Sequence, residues 1–212
     1  IALSRFPRAS STERGIGTVP VESAEARAKL LGKDGENLRA LEVACGVDLS
    51  INENNVVQIS GYDPVRRELT TRCLERVLAE KNVTPQVVER IAEKAKKDLT
   101  SKIENDGRKI ASELGMTDLN PEIKNMLGSL RYRYSFAQNQ FFHVAEVGWL
   151  CGLLALELGG VDSRAARRSG LLHDIGKAVD HSIEGGHAVI GADFIHKHGE
   201  KPHIVHAVRA HH

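Results

Sequence analysis

Histidine is confined to one half of this 212-residue sequence: all ten lie between residues 143 and 212. Among them, His173 and Asp174 stand side by side in GLLHDIGKAVDH (170–181), at the end of a run whose Leu171, Leu172 and Ile175 read as core. An imidazole and a carboxylate are costly to bury unpaired. A bound cation removes that cost, because neighbours in one helical turn can both reach it. Mixed nitrogen and oxygen donors suit zinc, manganese, iron or magnesium rather than an ion that prefers thiolates. The other candidates follow in order: His143 in FAQNQFFHVAEVGWLCGLLALELGG, His187 in EGGHAVIGADF, and the pair His211-His212. Taken alone, His143 on an apolar helix face would more often be a hydrogen-bonded core residue; the order of the set is the specific signal. His196, His198, His203 and His206 fall in a polar tail and read as surface. His181 is open, with a supporting role beside the ligands as one reading. Lys177, four residues after His173, is placed by spacing to steady an anion at the same site. A phosphate-loop reading of GLLHDIGKA fails, since five residues separate Gly170 from Gly176 and Ala178 replaces the required Ser or Thr.

A second candidate lies in the histidine-free half. Gly32-Lys33-Asp34-Gly35 sits between two helical stretches and is followed by two strands and a closing helix. Two glycines let the backbone approach a phosphate, and the helix that follows offers free N–H groups and a favourable dipole. Lys33 and Arg39 are the expected phosphate contacts. Asp34 opposes them, and residues 1–81 balance twelve Lys and Arg against twelve Asp and Glu, so weak binding is expected. A plain helix-turn-helix corner is the alternative.

The elements that must position these residues follow from composition and pattern. Apolar residues make up 41% and charged residues 27%, an ordinary soluble balance with room for one or two domains. The formal net charge of +1 gives no electrostatic footprint for nucleic acid. No apolar stretch is read as approaching the ~20 residues of a membrane span, and no secretory signal opens the chain. Cys45, Cys73 and Cys151 are far apart in sequence and lack ligand spacing, so they read as buried thiols.

Residues 1–14 read as an irregular lead-in. GIGTVPV (15–21) predicts a strand, 23–31 a helix, ENLRALEVACG a second helix closed by Gly46, and VDLSI and VVQISG a hairpin turning at NENN. Asp63-Pro64 starts a helix with Val65, Leu69, Cys73, Leu74, Val77 and Leu78 inward. A long solvated helix follows over 83–114, with Val87, Ile91, Ala95, Leu99 and Ile103 as one narrow seam; it reads as a linker or dimer helix. From Asn120-Pro121 onward the pattern is helical throughout, with breaks at Gly128, Gly159-Gly160 and Gly185-Gly186, and with Val144, Val147, Leu150 and Leu154 as the inner side of the His143 helix. The fold class is α+β. The sequence opens on Ile1 and stops on His212 inside an apparent helix, which reads as a fragment.

LLGKDGENLRALEVACGVDLSI resembles a KH domain, and the order strand, helix, GxxG, helix, strand, strand, helix suits its type I arrangement. The series His, His-Asp, His, His-His resembles the HD-domain phosphohydrolases. With GYDPVRRE, QNQFFHVAEV and HAVIGAD added, residues from about 15 to 212 resemble the ribonuclease Y family. The resemblance implies a KH domain over 15–82, a linker helix over 83–114 and the N-terminal part of an all-α HD domain over 115–212. It implies that Gly32, Lys33, Asp34, Gly35 and Arg39 bind single-stranded RNA. His143, His173 and Asp174 become metal ligands, and His187, His211 and His212 match the further histidines of two-metal HD enzymes. The cofactor is then one or two divalent ions of manganese, magnesium, zinc or iron.

The implied activity is endonucleolytic hydrolysis of RNA phosphodiesters that initiates mRNA decay, with His173, Asp174 and Lys177 at the chemistry. The implied partners are mRNA, a second copy in a homodimer and RNA-degradation proteins. A cytoplasmic protein anchored to the inner face of the bacterial cell membrane by an N-terminal helix is expected, with a coiled coil and a final aspartate ligand beyond residue 212. A piece without that aspartate is expected to be impaired. Two readings compete: an HD hydrolase of small nucleotides, and an RNA-binding module with a non-catalytic HD half.

Overall fold

A computed structural model of the chain describes residues 16–179 and 185–212. The expected lead-in and His181 lie outside the described residues. The chain divides into two compact units, one reaching to Ser101 and the other running from Lys102 to His212.

The first unit opens with β1 (Ile16–Pro20), α1 (Ala24–Leu31), a 3-10 turn (Lys33–Gly35) and α2 (Glu36–Cys45). It continues through β2 (Asp48–Ile51), β3 (Val56–Ser60), α3 (Pro64–Ala79) and the first part of α4 (Pro85–Glu113). Side chains alternate along the strands, so Val19, Leu49, Val57 and Ile59 turn to one side, where they are buried with Leu30, Leu41, Leu74 and Val77. The sheet is antiparallel in the order β1-β3-β2, with Val19 opposite Val57 and Leu49 opposite Ile59. Ser23 caps α1 through Ala26 N at 3.0 Å, and Asp63 caps α3 through Val65 N at 2.8 Å. Cys45 and Cys73, remote in sequence, are buried against each other and hydrogen-bonded. The seam of α4 lies on Val88, Ile91, Ala92, Ala95 and Leu99. Val87, expected inward, is only half-buried, because Val88 sits in better register with Ala92, Ala95 and Leu99.

The second unit shows that α4 is more than a solvated linker: its Ile110 and Ala111, with Leu114 just past its end, are fully buried in the core. After it come α5 (Pro121–Ser129), a 3-10 turn (Leu130–Tyr132) and a minimal hairpin of β4 (Tyr134–Ser135) and β5 (Gln138–Asn139). Then follow α6 (Gln140–Leu158), α7 (Ser163–Leu172), a 3-10 turn (Ile175–Ala178), α8 (His187–Lys197) and α9 (Pro202–Arg209). Ile123, Leu127, Leu171, Leu172, Ile195 and Val208 fill the core between them. The α+β class holds.

Five further sequence expectations change. Gly128, read as a break, lies within α5: a Cβ there would meet Ile103 O at 2.0 Å, and one on Gly107 would meet Lys124 O at 1.8 Å. The glycines let two backbones touch; they do not end a helix. The β4–β5 hairpin interrupts a stretch expected to be helical. The inner side of α6 is Phe141, Val144, Gly148, Gly152 and Ala155, whereas Leu150 and Leu154 are 51% and 61% exposed. Close approach to α7 selects small residues: a Cβ on Gly148 would lie 3.3 Å from Arg167 O, and one on Gly170 would lie 3.0 Å from Val147 O. Among the described helices, α6 is long and apolar enough to cross a membrane by length and composition, against the expectation of none; its inner face packs on α7 and it carries His143. Finally, His211-His212 follow the end of α9 rather than continuing it, while His196, His203 and His206 are exposed, as the sequence predicts.

Candidate metal centre

Each ligand candidate is placed by an identifiable local device. Asn139 caps α6 by accepting from Phe141 N at 3.2 Å, which sets His143 one turn inside the helix. The α7 helix stops at Leu172, and the backbone at Asp174 (φ −100°, ψ 13°) leaves α geometry for the 3-10 turn. This change of pitch lets the consecutive His173 and Asp174 face one point. Gly176 then lies directly against α8: a Cβ on it would be 2.0 Å from His187 O and 2.8 Å from Gly191 N. That backbone-to-backbone contact brings His187 over Asp174. A buried bidentate pair between Arg168 of α7 and Glu200 (2.7 and 2.6 Å) ties α7 to the entry of α9, and so fixes where His211-His212 emerge.

Asp174, 2% exposed, is the hub. Its Oδ2 lies 3.1 Å from His173 Nε2, 3.5 Å from His143 Nε2 and 2.7 Å from Lys177 Nζ. Its Oδ1 lies 3.1 Å from His187 Nε2 and 3.6 Å from His211 Nε2. His187 Nε2 is in turn 2.9 Å from His212 Nε2 and 3.3 Å from His211 Nε2. Two donor groups result, His143–His173–Asp174 and His187–His211–His212, each with its donor atoms within 4.8 Å of one another.

The donor chemistry fits a divalent cation. His173 Nδ1 and His211 Nδ1 lie 2.7 Å from the carbonyls of Gly170 and Val208, which accept the ring protons and turn both Nε2 atoms inward. Burial pushes the pKa of His143, His187 and His211 down, so the rings stay in the neutral, ligating form. Burial raises the Asp174 carboxyl, but hydrogen bonds from His173 and Lys177 outweigh it and hold the group well below the usual carboxylate range. Several inward lone pairs around one carboxylate repel each other unless a cation lies among them.

All seven expected residues of this half, Lys177 included, therefore converge. Sequence reasoning missed Gln140, Gly176 and Gly191. Gln140 is buried; its Oε1 accepts from Lys177 Nζ at 3.3 Å and its Nε2 donates to Ser135 O and Gln138 O at 3.4 and 3.3 Å. A polar residue at the first position of an otherwise apolar helix was the available signal. In the other unit, Gly32, Asp34 and Gly35 all have left-handed φ (69°, 52° and 78°). Lys33, Asp34 and Arg39 are exposed there, and Arg39 Nη1 is 3.3 Å from where a Gly35 Cβ would stand.

Residues 141–212 match the HD domain, a family of metal-dependent hydrolases. Ribonuclease Y 2 of Bdellovibrio bacteriovorus is 53% identical over 214 residues, covering 100% of this chain and 40% of the relative. Ribonuclease Y of Geobacter metallireducens is 42% identical over 213 residues, and that of Desulforudis audaxviator 40%; each is covered over 41% of its length. No solved structure matches the chain. Over its whole length the chain is similar to ribonuclease Y proteins, of which it spans about two fifths, and its histidine-bearing part matches the HD domain.

Proposed function

We propose that the protein is an endoribonuclease that hydrolyses phosphodiester bonds of single-stranded RNA. One or two divalent ions would be held by His143, His173 and Asp174 and by His187, His211 and His212. The observation that carries this reading is the convergence of four imidazoles and one ammonium on a single buried carboxylate, with a fifth imidazole, His212, against His187. A divalent cation there supplies Lewis acidity toward a phosphoryl oxygen and acidifies a water. The chain's own groups do the rest. Lys177, fixed between Asp174 and Gln140, holds a positive charge beside the donors, where phosphoryl oxygens gather negative charge. Asp174 and the carbonyls behind His173 and His211 keep the rings oriented, so no reorganisation is required when substrate arrives.

Residues 15–82 act as a KH domain that clamps the RNA backbone. The element order, the β1-β3-β2 sheet and the left-handed turn that leaves Lys33 exposed support this part of the reading. Gly35→Asp is expected to weaken single-stranded RNA binding about 10-fold or more. The new carboxylate would meet the Arg39 guanidinium and remove one charge-assisted phosphate contact. Filter binding checks this, while hydrolysis of a small generic phosphodiester should be unchanged. In the cell the reading extends to the initiation of mRNA decay by a homodimer, membrane-anchored and working with RNA-degradation partners.

The deciding experiment offers the intact protein single-stranded RNA and free nucleotides, with and without chelator. Manganese-dependent internal cleavage of RNA, lost in chelator, is expected. Hydrolysis of nucleotides with RNA left intact would replace this reading with that of a small-nucleotide hydrolase.

A further inference from the structure

The hairpin that no sequence pattern announced carries an unusual turn. Its strands pair Ser135 with Gln138, so Phe136 and Ala137 are the two central residues. Both have left-handed φ, +50° and +58°. Such two-residue turns favour Asn and Gly, since a side chain with a Cβ is strained there, and a bulky aromatic more so. The Phe136 ring is nonetheless 87% exposed and is used by no core. A strained backbone that presents an apolar ring to water persists where the ring has a task.

The surroundings say what that task is. The hairpin is held rigidly to the metal centre: Gln140 N donates to Arg133 O at 2.9 Å, the Gln140 side chain bonds Ser135 O and Gln138 O, and its Oε1 accepts from Lys177. Asn139 Nδ2 donates to Arg131 O at 2.7 Å, which closes the base of the hairpin. A cavity of about 360 Å³ lies between hairpin and ligands, lined by Arg133, Ser135, Phe136, Lys177, His187 and His212 among others. Its volume is at the small end for ligand sites, enough for one nucleotide rather than a length of chain. Its lining thus combines one aromatic side chain, two cationic ones and two metal-ligand candidates.

We propose that this cavity is a nucleotide subsite in which Phe136 stacks on the base flanking the scissile phosphate, while Arg133 and Lys177 face the phosphate backbone. Every base has a π-face, so stacking accepts any sequence and suits an enzyme that must take many RNAs. The inference deepens the RNA-hydrolase reading above and rests on it for the identity of the ligand.

Two measurements keep the two claims apart. The first is equilibrium binding, in EDTA, of a tetraribonucleotide bearing one 2-aminopurine, whose fluorescence is quenched on stacking; no cleavage is needed. Phe136→Ala is expected to raise the Kd about 5- to 150-fold and remove the quench, and Phe136→Trp to restore both. An abasic residue in place of 2-aminopurine should weaken binding to the unsubstituted protein equally, yet weaken the Phe136→Ala protein no further. Equal affinities for both proteins, or additive losses, would overturn the subsite. The second measurement is manganese-dependent cleavage: Phe136→Ala should raise KM for RNA more than it lowers kcat. Intact stacking without any cleavage by the unsubstituted protein would defeat the hydrolase reading and keep the subsite. Phe136→Asn separates a structural role, since Asn relieves the left-handed strain. Its Tm should hold or rise while affinity falls, and a fall in both would overturn the proposal.

Discussion

Asp174→Asn is expected to abolish RNA cleavage, by about 10³-fold or more, and to empty the protein of bound metal while leaving it folded. The carboxylate touches four imidazoles and one ammonium, so no neighbour can replace it. Asparagine keeps the shape and loses the charge, and removing a single preorganised electrostatic group from a dry site already costs about 10²–10³ in rate. The fold should survive because the core of this unit, from Ile110 to Val208, is apolar and independent of the ligands. Elemental analysis, circular dichroism and a cleavage assay on the same preparation give the answer. Undiminished cleavage at full metal content would remove Asp174 from the site.

Gly176→Ala is expected to destabilise the protein by about 3 kcal/mol and to lower metal affinity, although residue 176 is no ligand. Overpacking a tight contact commonly costs about 1–3 kcal/mol. Here the added methyl would meet a backbone carbonyl, His187 O, at 2.0 Å, with no flexible side chain able to yield. The 3-10 turn must separate from α8, and His187 leaves Asp174 with it. Denaturant titration reads the first effect and a manganese titration the second. A variant of native stability that binds metal normally would show that the two segments are not held as tightly as the structure has them. Alanine at Gly186, where an added Cβ meets nothing within 4 Å, is the matched control.

The clustering of the candidate ligands was legible because residue type carried it: His and Asp are uncommon enough in apolar runs for their order alone to be informative. Strands and caps of the first unit were legible for a similar reason, since alternation at 56–60 and Asp63-Pro64 are local signals. What was not legible depended on partners distant in sequence. Gly128 and Gly176 look like breakers until the backbone that touches them is known. On α6 the leucines outshine the glycines in any apolar pattern, yet Gly148 and Gly152 face inward because α7 comes too close for larger side chains. The hairpin escaped because Phe136-Ala137 lacks the Asn-Gly chemistry that announces such a turn. Lys177 stands beside Asp174, but in a 3-10 turn rather than on one α-helical face with His173, and its anchor Gln140 is 37 positions earlier.

Asp174 turns one oxygen to each donor group, and were each group to hold an ion, a monoanion divided between two dications would make their occupancies interdependent. Linkage of this kind is reciprocal: whatever an ion at one position does to the affinity of the other is returned in equal measure. A substitution at His212, whose Nε2 meets His187 Nε2 at 2.9 Å, is therefore expected to shift the midpoint of an ion seated between His143 and His173. Loading of such a pair would follow a single isotherm with two coupled steps, and the concentration that fills the weaker position would set the threshold at which the whole centre is assembled.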